Sequence, residues 1–173
     1  MGHPINFPFV GSELIVRNIY ATSQYSNKKG LKNNFLYPKF NKESHDYPGR
    51  RICRISVQRL CHGHWGGIIK NALSTKTEQQ TLIGFAFAYS EVMEKYEFRM
   101  EPAAHSNNIF HCHIYIPELD VPFVEDESLS ILTPALRMKL DLLTEEFHFV
   151  KIEDIPNIDI SFFNNPLCKE CLI

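Results

Sequence analysis

The sequence predicts a single α+β domain with a mainly antiparallel sheet and flanking helices. Apolar residues recur at every second position in two segments, as in half-buried strands, and at helical spacing in one later segment. The elements do not alternate as regular βαβ units, which argues against a parallel doubly wound sheet. With 173 residues, of which 44% are hydrophobic, the chain is long enough to form one core over residues 1–173.

The first strands are predicted in the first half of the chain. Cys53, Ile55 and Val57 alternate with polar residues, which indicates a half-buried strand. The apolar run over residues 82–88 is typical of a buried strand, and Ser90 is suited to cap a short helix after it. Residues 61–67 contain three glycines and are predicted to form a tight loop.

The segment 109–116 carries the clearest strand pattern. One face holds Phe110, Cys112, Ile114 and Ile116, and the other holds Ile109, His111, His113 and Tyr115. Pro117 closes this strand.

A helix is predicted to begin at Thr133-Pro134, because threonine is a good N-cap and proline is favoured at the first helical position. Its apolar stripe consists of Leu136, Leu140, Leu143 and Phe147. Residues 155–163 are predicted to form a last strand or an extended tail, within a C-terminal tail over 155–173. Before the first predicted strand, residues 23–51 form a polar, basic loop that Phe35, Leu36 and Tyr37 are expected to pin to the body.

The bulk properties favour a cytoplasmic protein with no membrane segment. The formal net charge is −2, no apolar run reaches the length of a membrane span, and the N-terminus lacks a secretory pattern. The five cysteines are therefore expected to be reduced thiols.

His111 and His113 are the leading candidates for catalysis. On one strand face their backbones lie about 7 Å apart, which suits two ligands of one metal or an acid–base pair. The alternative is an ordinary polar sheet face. Cupins, His-hydrophobic-His nucleases and two-histidine phosphoesterases also use paired histidines, but each needs further motif residues that this sequence lacks.

Further metal ligands are candidates at two other places. His62 and His64 lie in the glycine-rich loop, and Cys168 and Cys171 form a Cys-x-x-Cys pair near the C-terminus. Together with His111 and His113, they are the side chains that could hold zinc or another divalent metal. A solvated loop and two ordinary thiols are the alternatives.

Arginines are the candidate ligand-binding residues, because the planar guanidinium matches phosphate and carboxylate. Arg54 lies on the polar face of the first predicted strand, and Arg59, which follows that strand, is the expected clamp on a phosphate. The lysines of the 23–51 loop are interleaved with Phe35, Tyr37 and Phe40, a pattern found in proteins that hold single-stranded nucleic acid. A solvated basic loop is the alternative.

The motifs also resemble a family. Arg17, Ile19, Pro38, the segment Arg-Ile-Ser-Val-Gln-Arg at 54–59, Gly84 and Phe-His-Cys-His-Ile at 110–114 are similar to motifs of small uncharacterised bacterial proteins. Those proteins carry a Ser-Val-x-Arg segment and a C-terminal His-Ala-x-Ile-like segment. The resemblance covers residues 14–117. This sequence differs from the family's motifs at Cys112 and over residues 28–41. It implies a cytosolic bacterial protein of no known activity, and it directs attention to Arg59 and His111, then to Arg17 and His113.

Two functions from different classes follow. The first is a protein-binding or accessory module of a bacterial multi-component system, of the defence or toxin–antitoxin type, that contacts a protein partner and an anionic ligand through Arg17, Arg54 and Arg59. The second is a small metal- or histidine-dependent nuclease or phosphoesterase that uses His111, His113 and Arg59.

Overall fold

A computed structural model describes residues 9, 13–20, 24–27, 29–38, 43–60, 65–76, 81–104, 108, 110–125 and 132–157. Within these residues the strands are β1 (Leu14–Tyr20), β2 (Tyr25–Ser26), β3 (Gly30–Leu31), β4 (Arg50–Arg51), β5 (Arg54–Arg59), β6 (Leu82–Tyr89), β7 (Arg99–Pro102), β8 (His111–Tyr115), β9 (Val121–Pro122) and β10 (His148–Lys151). The α-helices are α1 (Trp65–Thr75), α2 (Val92–Lys95) and α3 (Pro134–Glu145).

Six strands form the central sheet in the order β10-β6-β1-β5-β8-β7, and every neighbouring pair is antiparallel. The two remaining described sheets are short pairs, β2 with β3 and β4 with β9. The predicted α+β class with a mainly antiparallel sheet is therefore confirmed. No helix within the described ranges is both long enough and apolar enough to cross a membrane.

Helix α3 covers one face of the sheet. Its N-cap is Thr133, whose hydroxyl oxygen accepts a hydrogen bond from Leu136 N at 3.2 Å, and Pro134 occupies the first turn. The predicted start and apolar stripe are both confirmed, and the buried members of this core include Leu136, Leu140, Leu143, Phe147, Ile15, Ile55, Val57, Cys112 and Ile114. Burial of these side chains stabilises the packing of α3 on the sheet.

The 23–51 loop is anchored to this same core. Phe35 and Leu36 are buried in a 3-10 turn over Asn33–Leu36, and the Phe35 ring meets Phe147 edge to face at 5.3 Å. Tyr37 adds a hydrogen bond to the Asp141 carboxylate. The expectation that these residues pin the loop to the body is confirmed.

Helix α1 covers part of the opposite face. Ile68 and Ala72 pack there against Leu14, Val16 and other apolar side chains of the sheet. The prediction of a tight loop over residues 61–67 is wrong from Trp65 onward, because helix α1 begins there despite its two glycines. Burial of an apolar stripe outweighs the weak helix propensity of glycine. Residues 61–64 lie outside the described residues.

The end of the described chain also differs from the prediction. The last strand is β10, over His148–Lys151, and a 3-10 segment over Ile152–Asn157 follows it. The prediction of a strand from residue 155 is therefore wrong for residues 155–157. Residues 158–173 lie outside the described residues. Strands β5, β6 and β8 confirm the three strand predictions made from the sequence.

Candidate functional site

The central sheet opens between its two middle strands. β1 and β5 pair only at Ile15 with Arg59 and at Val16 with Gln58, and beyond these pairs they separate. On their other sides β1 stays paired with β6 and β5 with β8, so the opening lies inside the sheet. It forms a cleft of about 350 Å³ lined by Val16, Arg17, Asn18, Tyr20, Gln24, Ser56, Val57, Gln58, Asn71, Asn108 and His111.

Arg17 is the permanent cation among the described residues that line the cleft. Its Nη1 donates to the Ser56 carbonyl oxygen at 2.8 Å, so the guanidinium reaches across the opening from β1 to β5. The side chain is partly exposed, but its Nε is closed off from solvent and has no hydrogen-bond partner. Burial lowers the pKa of Arg17 to about 10, against the opposing effect of the nearby Tyr20. Among the described residues, Arg17 has no carboxylate partner.

A chain of oriented side chains leads to a second unsatisfied atom. Asn18 Nδ2 donates to the Tyr20 hydroxyl at 3.3 Å, and Gln58 Nε2 donates to Asn18 Oδ1 at 3.0 Å. These bonds leave Gln58 Oε1 facing the other way, buried and without a donor, on a residue that is 4% exposed. Buried polar atoms are rarely left without a hydrogen bond in proteins. Gln58 Oε1 and Arg17 Nε are therefore unusual.

His111 brings an imidazole to the same cleft. It lies opposite Gln58 in the β5–β8 pairing, and its Nδ1 is 3.1 Å from the Ala103 carbonyl oxygen. Because a carbonyl oxygen only accepts, this contact is a hydrogen bond in which Nδ1 donates, and it orients the ring.

His113 follows on the same strand face, as the sequence predicted, and its ring meets that of His111 edge to face at 4.5 Å between centroids. It is not one of the cleft residues. Its backbone neighbours across the sheet are Ser56 on β5 and Glu101 on β7. The Glu101 carboxylate accepts from Arg54 Nε at 3.0 Å, which engages both side chains.

Arg59 lies elsewhere. It is 1% exposed, and its guanidinium forms a two-pronged ion pair with the buried Glu13, with Nη2 to Oε2 at 2.7 Å. The Phe9 ring lies 4.2 Å from its Cζ atom. Strand alternation places Arg59 on the opposite side of β5 from Gln58. The structure therefore does not bring Arg59 together with His111 as a phosphate clamp.

Arg54 is also engaged by acidic groups. Besides Glu101, the Asp46 carboxylate lies 3.9 Å from its Nη1. Of the three predicted ligand-binding arginines, the structure places only Arg17 in the cleft.

The predicted metal set is only partly described. Among the residues that the structure covers, no group of three or more His, Cys, Asp or Glu side chains is arranged to hold a metal ion. His62, His64, Cys168 and Cys171 lie outside those residues, so their role in binding zinc stays a prediction. Cys112, which separates the two histidines in the sequence, points to the opposite face of β8 and into the core. Burial raises the pKa of its thiol far above the usual range.

The predicted nucleic-acid surface loses one of its aromatic rings. Phe35 is 1% exposed in the core and has no face available for a base. Phe40 and three of the loop lysines, at positions 28, 39 and 42, lie outside the described residues.

The sequence interpretation did not identify the amides of the cleft: Asn18, Gln24, Gln58, Asn71 and Asn108. One local signal was present. The strand Leu-Ile-Val-Arg-Asn-Ile-Tyr places Arg17 and Asn18 in the middle of an otherwise apolar strand, where polar residues are unexpected unless they have a partner.

Comparison of the chain with protein-family models, curated proteins and solved structures gives no significant match. The resemblance to small bacterial proteins therefore stays a hypothesis, and the functional argument depends on the cleft itself.

Proposed function

We propose that this protein is a binding module that holds a small anionic ligand in the cleft between β1 and β5. The observation that carries the proposal is Arg17, a cation that is partly withdrawn from water without a carboxylate among the described residues. A desolvated charge is costly unless it is paired. An anion in the cleft would supply the missing negative charge.

The rest of the lining supports an anion over a cation. Among the described lining residues, the other polar groups are amides, hydroxyls and the His111 imidazole, and none is acidic. A cation would meet Arg17 with no compensating carboxylate, whereas an anion would meet a guanidinium and amide donors. A concave site with a few convergent polar groups is also the usual form of a small-molecule pocket.

An NMR titration tests this function. Acetate, sulfate and inorganic phosphate are added to ¹⁵N-labelled protein at constant ionic strength, with acetamide as a neutral control. We expect at least one anion to shift the amide signals of Asn18, Ser56 and Gln58, with acetamide giving no saturable change. Arg17→Met should weaken the binding at least tenfold, because a hydrogen bond to a charged group contributes about 1.5–3 kcal/mol.

A matched variant controls for the loss of a positive charge. Arg137→Met removes an exposed arginine from α3, on the opposite side of the sheet, and should leave anion binding unchanged. If no anion perturbs the cleft, or if Arg17→Met and Arg137→Met bind anions equally well, the proposed function is wrong.

The wider hypothesis adds a protein partner within a bacterial multi-component system. The outer face of α3 supports such a contact, since Met138 and Leu142 are 62% and 45% exposed one turn apart. A pull-down against the products of neighbouring genes tests it. A Met138→Glu, Leu142→Glu variant should lose the partner while keeping anion binding, and failure of the unmodified protein to capture any of these products would reject this part.

The second candidate function is a phosphoesterase or nuclease. One observation favours it: His111 lines the cleft, and the contact of Nδ1 with the Ala103 carbonyl orients its ring. In this alternative Arg17, rather than Arg59, would hold the phosphate. RNA, single-stranded DNA and simple phosphate esters are incubated with the protein, with and without divalent metal. Cleavage that is lost in a His111→Ala, His113→Ala variant supports the enzyme, and cleavage that persists in this variant rejects the assignment.

A further inference from the structure

Helix α3 carries a second apolar stripe on its outer face. Its inner stripe packs on the sheet, whereas Ala135, Met138 and Leu142 lie on the other side of the helix and are exposed. Together with the exposed Glu145, these residues are spaced by three, four and three positions. That is the spacing of the seam along which two helices pack in a coiled coil. The outer stripe therefore has the form of a helix-packing surface.

The charges beside this stripe differ between the two ends of the helix. Arg137, in the first half, is exposed, and its Cζ lies 5.9 Å from the centroid of the Tyr37 ring. Asp141 lies one turn further along the same side, where its Oδ1 accepts from the Tyr37 hydroxyl, and Glu145 is exposed one turn beyond it. The helix dipole adds positive charge at the beginning and negative charge at the end. The outer face is therefore positive toward its beginning and negative toward its end.

Such a face complements a second copy of itself in one orientation only. Two parallel copies would place like charges together. A copy turned end for end about a twofold axis near position 139 places Arg137 of each copy beside Asp141 of the other. Residues four positions apart lie on the same side of a helix, and this twofold axis keeps that side facing itself. Glu145 of each copy then lies near the N-terminal turn of the other, where negative charge is favourable.

A groove lies beside the first half of α3, where the second half of the other helix would pack. Its volume is about 590 Å³, and its lining consists of Leu132, Thr133, Pro134, Arg137, Met138 and Asp141. The helix has 12 residues and is therefore about 18 Å long. A contact of this length is small beside stable interfaces, which bury about 1,200 Å² or more. The geometry therefore fits a weak, reversible dimer.

We propose that the outer face of α3 binds a second copy of this chain, with the two α3 helices packed antiparallel across a twofold axis. Met138 and Leu142 of both copies form the apolar centre, and two reciprocal pairs of Arg137 with Asp141 flank it. The inference does not depend on the anion in the cleft. It gives this face a different occupant from the products of neighbouring genes, which would compete with the second copy.

Sedimentation equilibrium of the full chain tests the dimer. Over concentrations from about 5 to about 500 µM, we expect a monomer–dimer equilibrium with a dissociation constant on the order of 10–100 µM, as for a small interface. Raising the salt concentration should weaken it, because exposed charge pairs are screened. A chain that stays monomeric up to the highest concentration at low salt overturns the inference.

Charge reversal tests the antiparallel orientation. Arg137→Glu places two carboxylates together in each pair, and Asp141→Arg places two guanidinium groups together. Each variant alone should therefore dimerise at least tenfold more weakly than the wild type. An equimolar mixture of the two restores opposite charges in both pairs and should dimerise as the wild type does. Lys70→Glu, a reversal at an exposed position of α1, is the control and should change nothing.

The mixture and the apolar centre supply the decisive outcomes. If the wild type dimerises but the mixture stays monomeric, the antiparallel pairing is wrong. A Met138→Ala, Leu142→Ala variant should weaken the dimer at least tenfold, whereas Leu73→Ala, at an exposed leucine of α1, should not. Equal weakening by both would place the contact elsewhere and overturn the inference. Circular dichroism confirms that each variant is folded. Because the monomeric variants should still bind anions in the cleft, the dimer and the proposed function can fail separately.

Discussion

Arg17 and Arg59 lie on the two middle strands of the sheet and are accommodated in opposite ways. Arg59 is fully enclosed but has Glu13 as a two-pronged partner and the Phe9 ring beside its guanidinium. Arg17 is less enclosed, yet its Nε has no acceptor. An arginine that is paired with a carboxylate of the protein stabilises the fold, whereas an arginine without such a carboxylate is suited to bind a ligand.

This contrast predicts different effects on stability. Arg59→Met removes one half of a buried pair and takes its ion-pair partner from the Glu13 carboxylate, so it should lower the free energy of unfolding by about 3–5 kcal/mol. Arg17→Met removes the exposed hydrogen bond to the Ser56 carbonyl but breaks no ion pair among the described residues, so it should lower the free energy of unfolding by only about 0.5–1.5 kcal/mol. Urea unfolding followed by circular dichroism measures both. Equal losses in the two variants would contradict the assignment of separate roles.

Cys112 gives a second prediction at the scale of single residues. It is the residue between the two candidate histidines in the sequence. Its side chain is 0% exposed, and burial raises the pKa of its thiol. A raised pKa keeps the thiol protonated at pH 8, and only the thiolate reacts. Iodoacetamide should therefore leave Cys112 unmodified in native protein, as measured by peptide mass mapping, and should modify it fully in 8 M urea. Rapid native modification would show that the core opens at β8.

At the scale of elements, local patterns predicted some of the fold and missed the rest for identifiable reasons. Strand β8 and helix α3 were predicted because their apolar residues follow one period without interruption. Helix α1 was not predicted, because its two glycines lower the local helix propensity. The packing of Ile68 and Ala72 on the sheet stabilises the helix instead. Strand β1 was not predicted because Arg17 and Asn18 interrupt its apolar residues. The same two residues belong to the cleft, so the element with the poorest local pattern contributes most directly to the site.

Gly84 carries a prediction about two elements, the strands β6 and β10. A Cβ atom at this position would overlap the carbonyl oxygen of Val150 on the neighbouring strand. Backbone atoms cannot swing aside as a side chain does, so Gly84→Ala should push β10 from the sheet and lower the free energy of unfolding by about 1–3 kcal/mol. Hydrogen exchange should quicken first at the amides of β10. Wild-type exchange rates along β10 would mean that the strands approach less closely.

At the scale of the whole molecule, the cleft follows from where β1 and β5 separate. No local pattern in either strand specifies that point. It depends on partners distant in sequence, since β1 is held by β6 on one side and β5 by β8 on the other. This explains why the sequence could indicate His111 and Arg17 individually but not the amides that complete the cleft around them.

The two apolar cores share the one central sheet, and this arrangement carries the last prediction. Helix α3 packs on one face and α1 on the other, so loss of the sheet should release both, and we expect a single thermal transition. A ligand that binds only the folded state stabilises the protein by about 2.7 kcal/mol at about 100 times its dissociation constant. For a chain of this size that corresponds to a rise in Tm of roughly 5–10 °C. An anion that titrates the cleft should produce this rise in the wild type and in Arg137→Met, but not in Arg17→Met. If calorimetry instead resolves two transitions, of which the ligand shifts only one, the two faces of the sheet do not unfold as one unit.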